Sequence, residues 1–159
     1  MLTVRPYRRE DLPHIVKCGV QTAAGQLVAR EAPGASAEGV AAQASRMFEW
    51  VLMTPQATLL VAEWPAGTQR QEPAGYVLLM PQPNAFTGER EVVVMDIYTN
   101  PALRGHRLGR LLLDKAAEYA RAIGCPSLVA QVALHNGPSR RLFERCGFAG
   151  ERVVVGRRL

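Results

Sequence analysis

"EVVVMDIYTNPALRGHRLGRLLLDKAAEYARAIGCPSLVAQVAL", residues 91–134, decides the fold. Its first nine residues are rich in β-branched side chains and read as a strand, 91–99. From about 106 to 123 the apolar positions Leu108, Leu111, Leu112, Ala116, Tyr119 and Ile123 keep a helical period, and Gly124 supplies a stop. "SLVAQVAL" (127–134) is again strand-like. Two strands joined by one crossover helix are expected to lie parallel in the same sheet.

Outward from this unit, "LTVRP" near the start alternates as a strand, and Asp11 is placed to cap a helix carrying Leu12, Ile15, Val16, Val20 and Ala23. "EAPGAS" (31–36) breaks the chain, and Ser36 can cap a second helix to about Met53. "ATLLVAEW" (57–64) and "AGYVLLM" (74–80) read as a hairpin. After residue 134, "NGPSRRLFERCGF" reads as a short helix ended by Gly147, and "ERVVVGRRL" as a last strand. The predicted order is β-α-α-β-β-β-α-β-α-β, an α/β fold with a mixed central sheet flanked by helices. With 159 residues, 48% of them hydrophobic, residues 1–159 are expected to form one domain.

Charge and cysteine usage narrow the function classes. The formal net charge is +5, and of 19 basic residues only Lys17 and Lys115 are lysine. Arginine forks match phosphate geometry, so an anionic partner is favoured. A nucleic-acid reading has the arginines at 140, 141, 145, 152, 157 and 158 in its favour, but no interleaved aromatics and no recognition motif, so nucleic acid is not expected as a partner. Cys18, Cys125 and Cys146 form no CxxC pair, and His14, His106 and His135 are scattered, so no metal site is expected. "MLTVRPYRRED" lacks the apolar core of a signal segment, and no run is long enough to span a membrane. The expectation is a cytoplasmic protein.

The turn at 100–110 is unusual electrostatically. Arg104, Arg107 and Arg110 stack positive charge on a helix N-terminus that already carries partial positive charge and unpaired N–H groups. An anion is expected there. Residues 105–110 read G-H-R-L-G-R, which is neither the dinucleotide G-x-G-x-x-G nor a Walker loop, and no Lys-Ser or Lys-Thr pair exists in the chain. Taken alone, Gly109 is also explained by close helix packing.

Two segments together carry a resemblance. "IYTNPALRGHRLGRLLL", with Pro101, Arg104, Gly105 and Gly109 in register, and "NGPSRRLFERCGF", through Asn136, Leu142, Gly147 and Phe148, resemble the GNAT superfamily of acyl-CoA-dependent N-acyltransferases. "TVRPYRREDLPHI" is similar to that family's opening strand and helix, so the resemblance spans the chain. It implies an N-acetyltransferase that uses acetyl-CoA, without a metal, to acylate a primary amine of a small molecule or a peptide. The cofactor pyrophosphate would meet the backbone of Gly105, His106, Arg107, Leu108, Gly109 and Arg110, with the arginines adding charge. The pantetheine arm would pair with the strand edge at Ile97, Tyr98 and Thr99. Asn136, equally a helix cap, would reach the same arm.

Two departures bear on the chemistry. Arg107 stands where the family has its middle glycine, and Phe143 where it has a tyrosine that protonates the leaving thiolate. Deprotonating an alkyl amine near pKa 10 costs roughly 4 kcal/mol at neutral pH, and releasing a thiolate near 8.5 about 2 kcal/mol. A base therefore matters more than an acid. Asp96, on the same strand face as Tyr98, is the catalytic candidate, as base or as ammonium anchor; its alternative is an arginine partner. Gln131 stands where some members carry a glutamate base, and His135 follows at the strand end. The segment 21–53, with Arg30, Glu31, Glu38, Arg46, Phe48, Glu49 and Trp50, would wall the acceptor. The alternative to an enzyme is a non-catalytic acyl-CoA-binding regulatory module on the same fold, favoured by Phe143 and Gln131. A homodimer through the last strand is expected, because "RVVVGRRL" would otherwise leave an open edge.

Overall fold

The computed structural model describes all residues except Gln71 and Arg104. Five strands lie in sequence order across one sheet: β1 (Thr3–Pro6), β2 (Thr58–Glu63), β3 (Gly75–Pro83), β4 (Arg90–Thr99) and β5 (Ser127–Ala130). The first three junctions are antiparallel, and β4 pairs β5 in parallel, as the crossover helix requires. Helices α1 (Leu12–Gln26) and α2 (Ala37–Met53) cover one face; α3 (Leu108–Ala122) and the shorter α4 (Gly137–Arg145) cover the other.

Each face has its own core. Leu108, Leu112, Leu113, Ala116 and Ala120 of α3 pack on Leu60, Val77, Leu79, Val92 and Val94, with Phe143 of α4 at the margin. On the opposite face Ile15, Cys18, Phe48 and Val51 pack on Val61, Tyr76, Leu78 and Met80. Gly19 lets α1 meet α2 here, since a Cβ at that position would come within 2.4 Å of the Phe48 ring. Ser36 caps α2 by accepting the Gly39 N–H at 3.0 Å.

Asp11 does not cap α1. Its backbone is helical, and its buried carboxylate instead accepts hydrogen bonds from Arg5 (2.7 and 3.1 Å) and from the Arg8 N–H (2.6 Å). Burial pushes this carboxyl upward, but the Arg5 guanidinium and the Arg8 N–H outweigh that and hold it below its ordinary range. The residue ties β1 to the start of α1.

The strands also depart from their predicted lengths. β3 runs on to Pro83, because beyond Leu79 it has β4 on one side only, and the prolines at 81 and 83 withhold no needed N–H from β2. β5 stops at Ala130 rather than 134. Its one ladder partner is β4, and the pairing ends at Val94↔Ala130. One extra residue in β4, Met95, sits opposite the Leu78/Leu79 junction as a bulge, and the two parallel strands separate beyond it.

The predicted last strand does not form, so the order ends β-α and the sheet has five strands. Residues 149–159 carry no regular structure, and Val153, Val154 and Val155 are 70%, 80% and 89% exposed. Their β-branched composition is a preference for a pleated surface, which only a partner strand provides. The segment is held by side chains instead: Arg158 Nη1 donates to the Arg30 carbonyl at 3.1 Å, and the Arg152 guanidinium lies 4.2 Å from the Phe86 ring centre.

Candidate active site

The separation of β4 from β5 opens a wedge. Val94, Met95, Asp96 and Ile97 form one wall and Ala130, Gln131 and Val132 the other. Ser139 and Phe143 of α4 close one end; Thr22 and Gln26 reach in from α1. The wedge is partly open to solvent and has a volume of about 70 Å³. Beyond Val94, β4 continues to Thr99 with no ladder partner on its β5 side. The edge of Ile97, Tyr98 and Thr99 can therefore take an extended, amide-bearing ligand as an added strand.

Asp96 is the one carboxylate in the wedge lining. Its Oδ2 accepts the Tyr76 hydroxyl at 2.7 Å. Burial drives the Asp96 carboxyl up to about 6, against the opposing pull of the Tyr76 hydroxyl and the Ile97 N–H. No arginine pairs with it among the described ion pairs, so the alternative reading of Asp96 as an arginine partner is not what the structure contains. Tyr98 lies on the same face: its ring stacks on Tyr76 with centres 5.8 Å apart.

The glycine turn follows β4 directly. Gly105 has φ +86° and Arg107 φ +57°, and the His106 N–H bonds the Leu103 carbonyl at 3.1 Å. Arg107 is the N-cap residue of α3 and supplies no side-chain cap. The N–H groups of Leu108, Gly109 and Arg110 thus lack partners within the helix and point past its N-terminus. The middle position of the turn does require the left-handed backbone, and an arginine adopts it at a cost of about 1–2 kcal/mol. Arg104 lies outside the described residues. Arg110 shares its charge with Asp114, Nε to Oδ2 3.6 Å, one helical turn on.

Gly109 has a packing reason of its own. A Cβ there would come within 2.8 Å of Leu142 Cδ2, so its bare Cα is what lets α4 approach α3. Asn136 caps α4, its Oδ1 accepting the Ser139 N–H at 3.2 Å. Phe143 is buried, lines the wedge and meets Phe148 edge-on at 5.0 Å. His135 is tied by Nε2 to the Gly25 carbonyl at 3.0 Å and is not part of the wedge lining.

The segment 21–53 reaches the wedge through few residues. Phe48 is core, and Arg30, Glu31, Glu38, Arg46, Glu49 and Trp50 are absent from the wedge lining; Thr22 and Gln26 are what this part of the chain contributes. The signal for these two was present as polar residues at four-residue spacing, His14, Cys18, Thr22 and Gln26, along a helix that is otherwise apolar on its buried side. Among the described residues no group of three His, Cys, Asp or Glu side chains is arranged to hold a metal ion, and no helix is long and apolar enough to cross a membrane.

The fold is shared with known proteins. A structure from Pyrococcus furiosus, named as an acetyl transferase, superposes with a TM-score of 0.81 at 21% identity, covering 100% of both chains. The aminoglycoside N-acetyltransferase AAC(6')-Iy, in complex with CoA, gives 0.73 at 16% identity over 99% of this chain and 95% of its own. In sequence, the L-methionine sulfoximine/L-methionine sulfone acetyltransferase of Salmonella typhimurium is 38% identical over 64 residues, 40% of this chain and 37% of that one. The matches to curated relatives span between about a third and a half of those proteins' lengths. Residues 26–148 match the acetyltransferase (GNAT) family, and the chain belongs to it.

Proposed function

We propose that residues 1–159 act as one domain that transfers the acetyl group of acetyl-CoA to the primary amine of a small molecule in the cytoplasm. The observation that carries this reading is the wedge, where β4 leaves β5 after Val94 and a single carboxylate, Asp96, faces the opening. The edge at Ile97, Tyr98 and Thr99 receives the pantetheine amides, and the backbone of Gly105 to Arg110 meets the pyrophosphate, with Arg107 free of any ion pair that would neutralise it among those described. Asn136 has its carbonyl oxygen engaged as a cap, which leaves the amide group for the arm.

Asp96 receives the amine as ammonium and takes a proton from it. With a carboxyl near 6 it is charged at neutral pH and closer to the amine in proton affinity than an ordinary aspartate. The neutral amine then forms the C–N bond as the C–S bond breaks, and the thiolate leaves. Phe143 supplies wall and no proton. Gln26, Thr22 and Ser139 offer uncharged hydrogen-bonding groups beside one acid, which suits a compact polar amine better than an extended one. The names of the sequence relatives, methionine sulfone and phosphinothricin acetylation, are of that class. Peptide amines remain a second acceptor class on the same chemistry, and a homodimer in which the exposed 153–155 segment finds a partner strand belongs to the same reading.

The test is thiol release from acetyl-CoA against L-methionine sulfone, phosphinothricin, an aminoglycoside and a short peptide, alongside thermal melting with CoA. Free CoA at 100 times its dissociation constant is expected to stabilise the protein by about 2.7 kcal/mol. Turnover with an amine supports the enzyme. A CoA-dependent rise in Tm with no turnover of any acceptor would instead favour the acyl-CoA-binding module, in keeping with Phe143 and Gln131 in the wedge. An unchanged Tm at millimolar CoA overturns both.

A further inference from the structure

Of the four tyrosines only Tyr76 is fully buried. It stands opposite Tyr98 in the β3–β4 ladder, which makes Asp96, two residues back along β4, its diagonal neighbour on the same face. The ring is clamped: Phe48 of α2 meets it edge-on at 5.9 Å, and Tyr98 stacks on it at 5.8 Å. Gly19 of α1 lies over the far end of the ring, where a Cβ would come within 3.2 Å of the hydroxyl oxygen. From this fixed seat the hydroxyl donates to Asp96 Oδ2 at 2.7 Å. Among the described residues no side chain donates to the other oxygen, Oδ1. Asp96 lines the wedge, whereas Tyr76 stands behind it. Packing does not call for the hydroxyl, since phenylalanine would fill the same seat, and a buried hydrogen-bonded pair is nearly neutral for stability against an apolar pair of the same shape.

We infer that Tyr76 is the positioning residue for the proton-transfer step: its hydroxyl pins Oδ2 of Asp96, and Oδ1 is left to meet the amine. The inference rests on the acetyltransferase reading above. A carboxylate on a free side chain turns about its last torsion through a broad, two-fold range. One anchored oxygen removes that freedom and aims the other. The substrate ammonium gives its proton to Oδ1, the N–H bond breaking as the O–H bond forms, and Tyr76 keeps its own proton throughout. Burial and the adjacent Asp96 charge hold the Tyr76 hydroxyl well above its ordinary range, so it is a donor and never a base at working pH. The same hydrogen bond favours the ionised carboxylate and opposes the effect of burial on Asp96. The other groups around Asp96 are Cys18, Thr22 and Gln26 from α1, Tyr98 from β4, Gln131 beyond β5 and Ser139 from α4. None of these is a cation that could hold the carboxylate in place of the hydroxyl.

Tyr76→Phe keeps the ring and removes only the hydroxyl. In the free protein, carboxyl-carbon NMR of Asp96, assigned against Asp96→Asn, is expected to show the titration move from about 6 in the wild type to about 7 or above. In turnover of acetyl-CoA with L-methionine sulfone, the acid limb of the pH–rate profile should move with it. The plateau kcat above that limb should fall about tenfold, with KM for acetyl-CoA within about twofold. In the Asp96→Asn background the same substitution should cost nothing further, because Tyr76 acts through that carboxylate. A readout that needs no Tyr76 variant covers the case in which Tyr76→Phe does not fold: the wild-type Tyr76 ζ-carbon resonance should follow the Asp96 titration, with its midpoint near 6. An unmoved carboxyl titration, an equal rate loss with and without Asp96, or a ζ-carbon resonance blind to that titration overturns the positioning role alone when the wild type turns over. A wild type that turns over no acceptor overturns the acetyltransferase reading, and this inference with it.

Discussion

The two faces of the sheet are built to different rules. Under α3 every inward side chain is apolar, from Leu108 through Leu112 and Leu113 to Ala116 and Ala120. Under α1 the apolar packing of Ile15, Phe48 and Leu78 is threaded by Tyr76, Asp96, Tyr98, Cys18 and Thr22, with the Tyr76 hydroxyl on the Asp96 carboxylate and the Cys18 thiol 3.4 Å from His14 Nε2. No buried side-chain N or O atom among those described lacks a partner. Both faces are cores, but only the α1 face holds a partly buried carboxyl whose ionisation the interior has shifted beside the wedge. A low dielectric strengthens paired polar groups and penalises a lone charge, which is why the polar face needs the dry one opposite it.

The largest effect that would sharpen this contrast is expected on the dry face. Leu112→Ala removes a fully buried side chain and should cost about 2–5 kcal/mol of stability, with the pH dependence of any remaining activity unchanged. Chemical denaturation checks it; a loss below about 1 kcal/mol would mean that this face is not the principal support. Asp96→Asn should do the reverse. Turnover is expected to fall by about 10²-fold or more, and the acid limb of the pH–rate profile, near 6, should vanish.

The sign of the stability change at Asp96 follows from its raised carboxyl. A carboxyl lifted from 3.8 to about 6 on folding favours the protonated native state, so its contribution is complete below 3.8 and is lost as pH rises through 6. The wild type should therefore lose on the order of 1–3 kcal/mol relative to Asp96→Asn between pH 4 and 7. Equal melting curves for the two proteins across that range would break the claim that burial governs this group.

The smallest effect concerns the turn between the faces. Arg107→Gly relieves a left-handed backbone and should stabilise the protein by about 0.5–1 kcal/mol after allowing for the greater freedom of unfolded glycine. If the guanidinium contacts an anionic ligand, the same substitution should weaken CoA binding while raising the Tm of the free protein. A lower Tm would show that the arginine side chain supports the turn rather than straining it.

The readable part of the sequence was the part governed by local periodicity. Strand 91–99, the helix after it and the Gly124 stop follow from spacing alone, and Ser36 and Gly147 behave as their residue types suggest. What local pattern does not encode is partnership. "RVVVGRR" has strand chemistry but no neighbouring strand, residues 131–134 lose theirs when β4 diverges, and Asp11 finds Arg5 of β1, six residues earlier, instead of the helix end beside it. At the site, Asp96 was readable as the acid near the opening, whereas Tyr76 as its partner depends on strand register, which the sequence does not display. The need for φ > 0 at Arg107 was equally invisible, because arginine is not a residue that advertises it.

The bulge at Met95 has a consequence for parity. Counting by twos from Val92 and Val94, residue 96 would fall on the α3 side and Ile97 on the α1 side. The extra residue reverses the count, so that Ile97 joins the α3 core while Asp96 meets Tyr76 on the other face. One supernumerary amino acid thus decides whether the Asp96 carboxyl is pressed into the apolar core under α3 or meets the Tyr76 hydroxyl at the wedge.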